Sequence, residues 1–459
     1  MLITYDMSFF QNLEENDQNK IFTATCEKAV KLAIDYFSRL IKIVPKSEQN
    51  MRYQGQSGKC GQVLIPQIDK DQGKDSDLHI YLQYRDDLKQ EYLARASWCQ
   101  FLKGLGPTHG RLNFNIAKLV NLDMTDSIAF DDLFQIVVHE MTHILGFTGT
   151  SIANWVTTDG QPHVDPIITQ EIRGINTKLL ATPNVLKFAR DYFGCPSLPG
   201  MPLENQGGGG SLGSHWEISI IQDEYMNANS SQASGYFSGF TANLLRDTGF
   251  YAEINESMEE KTYFGKGQGC EHVLGNCRSD KREYCKDTDN FLCDYYHNGS
   301  SECISNMFNE PGCNTQEIYP DRECFNDKSK FNTNLQQRAF GTKFGNNSKC
   351  FNATLMHIKL TSQYKGIIRG KCYEYKCSSD GQQITIYVGQ KQKICSINLE
   401  YITVEEYIGQ IQCPENIQEF CEYKRFCKNY CSANGYCLKN KCYCANGFYG
   451  EDCSSNVPV

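Results

Sequence analysis

The sequence predicts an α+β fold: a domain of helices and short strands, followed by a disulfide-rich region. Three observations carry this. Apolar residues recur at helical spacing in two stretches, 22–44 and 133–145. Short runs of strand character lie between them. The cysteines are uneven: of 23, four fall in residues 1–200 and nineteen run from Cys270 to Cys453. Such density implies disulfides and an oxidising compartment. The 459 residues suffice for about three domains. The net charge of −9, with both signs mixed, gives no sign of nucleic acid binding.

In chain order, the start MLITYDMSFFQNLEEND lacks the basic and apolar parts of an export signal. A disulfide-rich chain needs export, so the start reads as truncated. No run of 18 apolar residues exists to span a membrane. Sequons at Asn229, Asn255, Asn298, Asn346 and Asn352 agree with secretion and a glycoprotein. Residues 22–44 place Ala29, Val30, Leu32, Ala33, Tyr36, Phe37, Leu40 and Ile41 on one helical face, closed by Pro45. Leu78–Gln83 reads as a strand, and Arg111–Ile116 as another, expected to be an edge that pairs with an extended peptide. Cys26, Cys60, Cys99 and Cys195 allow three pairings.

The second apolar stretch, FQIVVHEMTHILGF at Phe134–Phe147, holds the pattern H-E-x-x-H. His139 and His143 lie four apart, on one helical face. Two imidazoles so placed reach one zinc ion. Glu140 follows the first ligand and suits a general base acting on water at the metal. Asp131 and Asp132 are the expected cap and first-turn acids, and Gly146 the expected stop. The helix is apolar almost all round, so buried polar groups within it need a partner such as a metal. A third ligand lies further on. His163 and His215 are both candidates, the latter beyond the flexible run Gly207–Gly210, and spacing does not choose between them.

The segment His139–Phe147, HEMTHILGF, resembles the zinc helix of leishmanolysins, surface zinc proteases of the metzincin clan. Most metzincins place the third histidine at H-E-x-x-H-x-x-G-x-x-H; here that position is Gly149. Leishmanolysins depart in the same way, by a long insertion. SHWE at Ser214–Glu217 is similar to their third-ligand segment, which implies His215. DEYM at Asp223–Met226 is similar to their Met-turn, which implies Met226 as an apolar floor under the metal, not a ligand. SDLHIYL, ASWCQ, GRLNFN, DTGFY and GQGCEHVLGNC add to the likeness, which covers roughly residues 20–420. The resemblance implies a catalytic subdomain at 20–150 with a twisted mixed sheet, and a second at 151–262. A cysteine-rich domain at 263–421 follows. Tyr236–Phe250 is expected as a late helix, capped by Ser238 and stopped by Gly249.

Residues 270–421 hold thirteen cysteines, so one is expected to be free or paired elsewhere. In the tail, the six cysteines from Cys427 to Cys453 are separated by 3, 5, 4, 1 and 8 residues. That spacing resembles an EGF-like module, at 422–454, held by three disulfides. Acidic residues for calcium are lacking ahead of it, and the end at Asn456–Val459 shows no hydrophobic anchor signal.

The resemblance therefore implies a secreted or cell-surface zinc metalloendopeptidase. Zn2+, one per chain, is held by His139, His143 and His215, and Glu140 moves the proton. Its substrates are proteins or peptides, with a link to cell adhesion and cell-surface or matrix partners through the EGF-like module. The alternative is an adhesion protein on the same fold that no longer cleaves.

Overall fold

The structure, a computed structural model, describes residues 1–43, 51–55, 57–90, 92–120, 125–228, 235–305, 307–423 and 426–456. Pro45, Asn229 and part of the segment after Met226 lie outside the described residues. The chain forms two compact units. The first comprises Met1–Glu260, Gly267–Val273 and Tyr430–Val459; the second comprises Lys261–Lys266 and Leu274–Asn429.

The first unit opens with strand β1 (Ile3–Asp6) and helix α1 (Asp17–Leu40). Asn16 caps α1 by accepting from the Asn19 N–H at 2.8 Å. Its buried positions Cys26, Ala29, Val30, Ala33, Phe37 and Leu40 follow the spacing of one helical face. The helix ends earlier than the sequence suggests. Ile41–Ile43 turns extended and pairs antiparallel with Tyr251–Ile254, so backbone pairing ends it ahead of Pro45.

Strands β2 (Leu78–Arg85), β3 (Ala94–Leu102) and β4 (Gly106–Asn115) join β1 in a four-stranded sheet of order β1-β2-β4-β3. β1, β2 and β4 run parallel, and β3 pairs antiparallel with β4. Leu78–Gln83 are all buried, as expected of a strand covered on both faces. The sheet corrects one expectation. The strand holding Arg111–Asn115 is no edge, because β2 and β3 take up its hydrogen-bonding groups on both sides; the edge strand on that side is β3, and β1 is the other edge.

Helix α2 (Ser127–Leu145) carries His139, Glu140 and His143. Its cap is Asp126, whose carboxylate accepts from Ile128 N at 2.9 Å and Ala129 N at 3.4 Å. The helix thus starts ahead of Asp131 and Asp132, which sit inside it. Asp131 is buried there and accepts from Gln135 Nε2 at 3.0 Å, one turn on. Gly146 ends the helix at φ 137°, a backbone that side chains disfavour. α2 lies close on the sheet at Gly110 of β4, where a Cβ would come within 2.5 Å of Ile144 Cγ2.

The second half of the unit holds a small sheet, Ile167–Ile172, Ile175–Leu180 and Met201–Pro202, and helices α3 (Pro183–Phe193) and α4 (Gly239–Asp247). Ser238 caps α4 as expected, accepting from Phe240 N at 3.1 Å, and Gly249 follows its end at φ 75°. The tail packs on this unit. Tyr436 is fully buried and stacks on Phe134 of α2 at 5.1 Å, edge-on to Tyr36 of α1 at 5.7 Å. Its hydroxyl donates to Asp35 at 2.9 Å, and Lys28 donates to Asn434 at 2.6 Å.

The second unit contains a six-stranded antiparallel sheet, including Ser348–Ala353 and Arg369–Cys377, and a three-stranded sheet, including Gly299–Ile304 and Thr315–Glu323. Six disulfides staple it: Cys277–Cys313, Cys285–Cys303, Cys293–Cys350, Cys324–Cys372, Cys377–Cys421 and Cys395–Cys413. Asn298, one of the sequon asparagines, is buried there, which leaves no room for a glycan.

The odd cysteine of 270–421 is Cys270, and its partner lies upstream at Cys195. Cys60 pairs with Cys99. The free thiol is Cys26, buried in α1. Among the described residues, no helix is long and apolar enough to cross a membrane.

Two outcomes follow from this packing. Tyr436→Ala should lower the stability of the first unit by about 3–5 kcal/mol, the scale of a deleted core aromatic. Tyr436→Phe should cost only about 1 kcal/mol, for the lost hydrogen bond. Thermal unfolding of the two variants checks the difference. Thiol titration should find one reactive cysteine per chain after denaturation without reductant and none before it, since burial pushes the Cys26 thiol well up and hides it.

Candidate metal centre

The sequence brings three imidazoles to one point. His139 and His143 project from one face of α2. His215 arrives on a chain of turns that begins at Gly207–Gly210, where Gly207 and Gly208 adopt φ 76° and 87°. Ser211 N and Leu212 N both bond to Gly208 O at 3.0 Å, which turns the chain back. His215 O then accepts from Glu204 N at 2.9 Å, and Trp216 N donates to Met226 O at 3.1 Å. Trp216 is buried and its indole N–H donates to Thr241 of α4 at 2.9 Å.

The three Nε2 atoms stand 3.1 Å (His139–His143), 3.1 Å (His143–His215) and 3.2 Å (His139–His215) apart. Every Nδ1 faces a backbone carbonyl: Tyr225 at 2.7 Å, Phe147 at 2.7 Å and Ser211 at 3.1 Å, respectively. A carbonyl only accepts, so each Nδ1 carries the proton. The three Nε2 lone pairs are thereby left facing one another. Burial holds all three imidazoles below their usual pKa, His143 at about 3, with His139 adding to the effect on His143. They are neutral and ready to ligate. Lone pairs converging at such distances repel unless a cation lies among them, so this donor set fits a metal ion.

His163, the rival third ligand, lies elsewhere: its Nε2 donates to Asp247 O at 2.8 Å, at the end of α4.

Glu140 is buried beside the histidines, and burial pushes its carboxyl up to about 8. The backbone of Ala96 in the edge strand β3 hydrogen-bonds it and Arg95 acts on it, both in the opposite sense. Met226 is fully buried. Its neighbour Tyr225 provides the carbonyl that orients His139.

Two further residues hold this arrangement, and the sequence reading assigned neither a role. Glu224 is buried and gathers three donors: its carboxylate accepts from Met226 N at 2.5 Å, Ser238 at 2.9 Å and Thr241 at 2.6 Å. Burial raises its pKa to about 7, against the pull of those bonds. Thr142 donates to Val138 O at 2.9 Å within α2 and accepts from the Tyr225 hydroxyl at 2.8 Å. The signal available was small: both lie inside quoted motifs, DEYM and HEMTH, at positions where an acid or hydroxyl in apolar surroundings needs a partner.

Comparison with known proteins shows the family of the chain. The leishmanolysin family model matches residues 13–306. The ciliated left-right organizer metallopeptidase of Danio rerio is 26% identical over 62% of this chain and 45% of its own length. A leishmanolysin homolog of Crithidia fasciculata is 32% identical, covering 44% of this chain and 29% of its own. Leishmanolysin of Leishmania major is 29% identical, covering 48% and 34%. The chain thus spans less than half the length of these three relatives. With most of its length matched and the three histidines gathered inside the matched region, the chain belongs to the leishmanolysin family of peptidases.

Proposed function

We propose that the protein is a zinc-dependent metalloendopeptidase that hydrolyses protein or peptide bonds. The observation that carries this is the convergence of three neutral imidazole Nε2 atoms within 3.2 Å, each locked by a carbonyl at Nδ1. Three nitrogen donors with a fourth position open suit a catalytic zinc site. Two nitrogens at roughly 2.0–2.1 Å from a tetrahedral ion stand about 3.4 Å apart, close to the spacing seen. When bound, zinc supplies Lewis acidity toward a carbonyl and toward water.

The chain's own residues do the rest. Glu140 takes the proton of the attacking water at its carboxylate and delivers it to the departing amine nitrogen. A divalent charge beside it offsets the effect of burial on its pKa. Ala96 N–H orients that carboxylate. The edge strand β3 offers its unpaired backbone groups to an extended peptide, which lies along the sheet next to Glu140. Met226 supports the centre from below through the turn that positions His139.

The tail fits an EGF-like module, supported by the Cys431–Cys442 and Cys444–Cys453 disulfides and two short hairpins. Disulfides at this density suit an extracellular or cell-surface protein. The rival reading, an adhesion protein that no longer cleaves, draws on the same tail.

Metal analysis tests the ligand set. The purified chain should carry one zinc, His215→Ala should fall well below one equivalent, and His163→Ala should keep it. Retention by His215→Ala and loss by His163→Ala would reverse the assignment. Glu140→Ala should keep the metal and lose kcat by on the order of 10²–10⁴-fold. Cleavage assays on a broad peptide library check this; a metal-loaded wild type that cleaves nothing supports the adhesion reading instead.

A further inference from the structure

The second unit contains a pocket of about 300 Å³ that the peptidase chemistry does not use. It lies between the strands Gly299–Ile304, Thr315–Glu323 and Arg369–Cys377, and four of its lining groups are cationic: Arg322, Arg369, Lys371 and the exposed Lys365. Like charges gathered without a counterion repel. Among the described residues none of the four has an ion-pair or hydrogen-bond partner for its side chain. Two acids nearby on the same strands are paired, Asp321 with Lys330 at 2.8 Å and Glu374 with Lys343 at 2.5 Å; Glu323 bonds Asn326, while its Oε2 is buried without a partner. The surroundings show the strain of the cluster. Burial and the two arginines bring Lys371 down to about 8.

Aromatic rings fix three of the cations in place. Arg322 lies 4.0 Å above the Phe331 ring centre, Arg369 stands 4.6 Å from that of Phe291, and Lys371 lies 3.4 Å from that of Phe340. Such contacts stabilise the charge and orient the guanidinium plane, but they satisfy none of its five N–H donors. A second observation is independent of charge. Ser300 and Thr342, 4% and 7% exposed, both line the pocket, and both hydroxyl oxygens are buried without a hydrogen-bond partner. Buried hydroxyls of that kind are costly and call for a partner. The walls are already rigid, since Cys324–Cys372 ties the strand of Arg322 to that of Lys371.

Two guanidinium groups, two ammonium groups and two hydroxyls are all donors in their present setting, and an oxyanion is the group that accepts from all of them. Phe344, Leu355 and Met356 give the remaining wall an apolar part, and the volume holds little more than one ring. We propose that this pocket binds a sulfate or phosphate ester carried on a sugar-sized ring.

The test uses the full chain and titration calorimetry at low salt, with glucosamine 6-sulfate, glucosamine 6-phosphate, glucosamine and inorganic sulfate as probes. One of the two esters should bind, with the preferred one naming the source of the oxyanion, and glucosamine should bind at least about tenfold more weakly. Arg369→Gln, at an exposed position, and Arg322→Gln should each weaken the ester about tenfold or more, and added sodium chloride should weaken it in the wild type. The proposal is overturned if neither ester binds. It is equally overturned if Arg369→Gln, with an unchanged unfolding midpoint, binds the ester as the wild type does. Inorganic sulfate binding as tightly as the ester would remove the ring from the proposal.

Discussion

The constraint on which the first unit depends is the meeting of three Nε2 lone pairs in a buried place. Nothing within the protein makes that arrangement favourable. Each imidazole is desolvated, each is neutral, and the atoms that face one another all carry electron density. What imposes it is the set of carbonyls behind them. Phe147 O lies just past the end of α2, Ser211 O in the glycine turn, and Tyr225 O in the turn before Met226. Three separate stretches of backbone each fix one tautomer and one ring direction, the role that outer hydrogen bonds play at metal sites. The fold therefore holds an electrostatic debt at this point that a cation cancels.

Those carbonyls must themselves be held, and this explains where the buried polar groups lie. Glu224 ties the Met226 turn to the start of α4 through Ser238 and Thr241, and Thr241 also receives the Trp216 indole next to His215. The network is nearly closed on itself: a buried carboxylate with three donors, a buried indole with one acceptor. Removing one member leaves several desolvated groups without partners, each costing about 1–3 kcal/mol. Thr142 does the same on the other side, linking α2 to the Tyr225 hydroxyl. The ligands from α2 and the ligand from the distant turn thus share one hydrogen-bonded frame.

Local chemistry was legible in the sequence, and long-range pairing was not. His139, Glu140 and His143 could be placed on one helical face because 3.6-residue periodicity and a run of apolar neighbours fix that geometry without any tertiary information. His215 could not be separated from His163 by spacing; the choice depends on a turn sequence 72 residues beyond His143 and on hydrogen bonds to Glu204 and Met226. The cap at Asp126 was missed because Asp126, Asp131 and Asp132 all precede the motif and each could serve; the choice depends on where the chain first turns helical. The helix end at Leu40 and the inner position of Arg111–Asn115 were misjudged for one reason. Whether a segment is extended or central in a sheet is decided by partners, here Tyr251–Ile254 and Leu78–Arg85, that lie far off in sequence. Cysteine counting found that one thiol was odd in residues 270–421, yet its partner, Cys195, belongs to the other half of the chain.

The tail adds a constraint of a different kind. A six-cysteine segment of this size has almost no core of its own. Part of it gains one by contributing Tyr436 to the first unit, between Tyr36 of α1 and Phe134 of α2. Phe134 lies five residues before His139, on the helix that presents two ligands. The tail thereby contributes to the packing that fixes the angle between α1 and α2. Cys431–Cys442 is among the cross-links that hold the Tyr436 hairpin, and so the ring stack, in place. The ring stack therefore packs the oxidised tail against the same helix that carries His139 and His143, far from it in sequence.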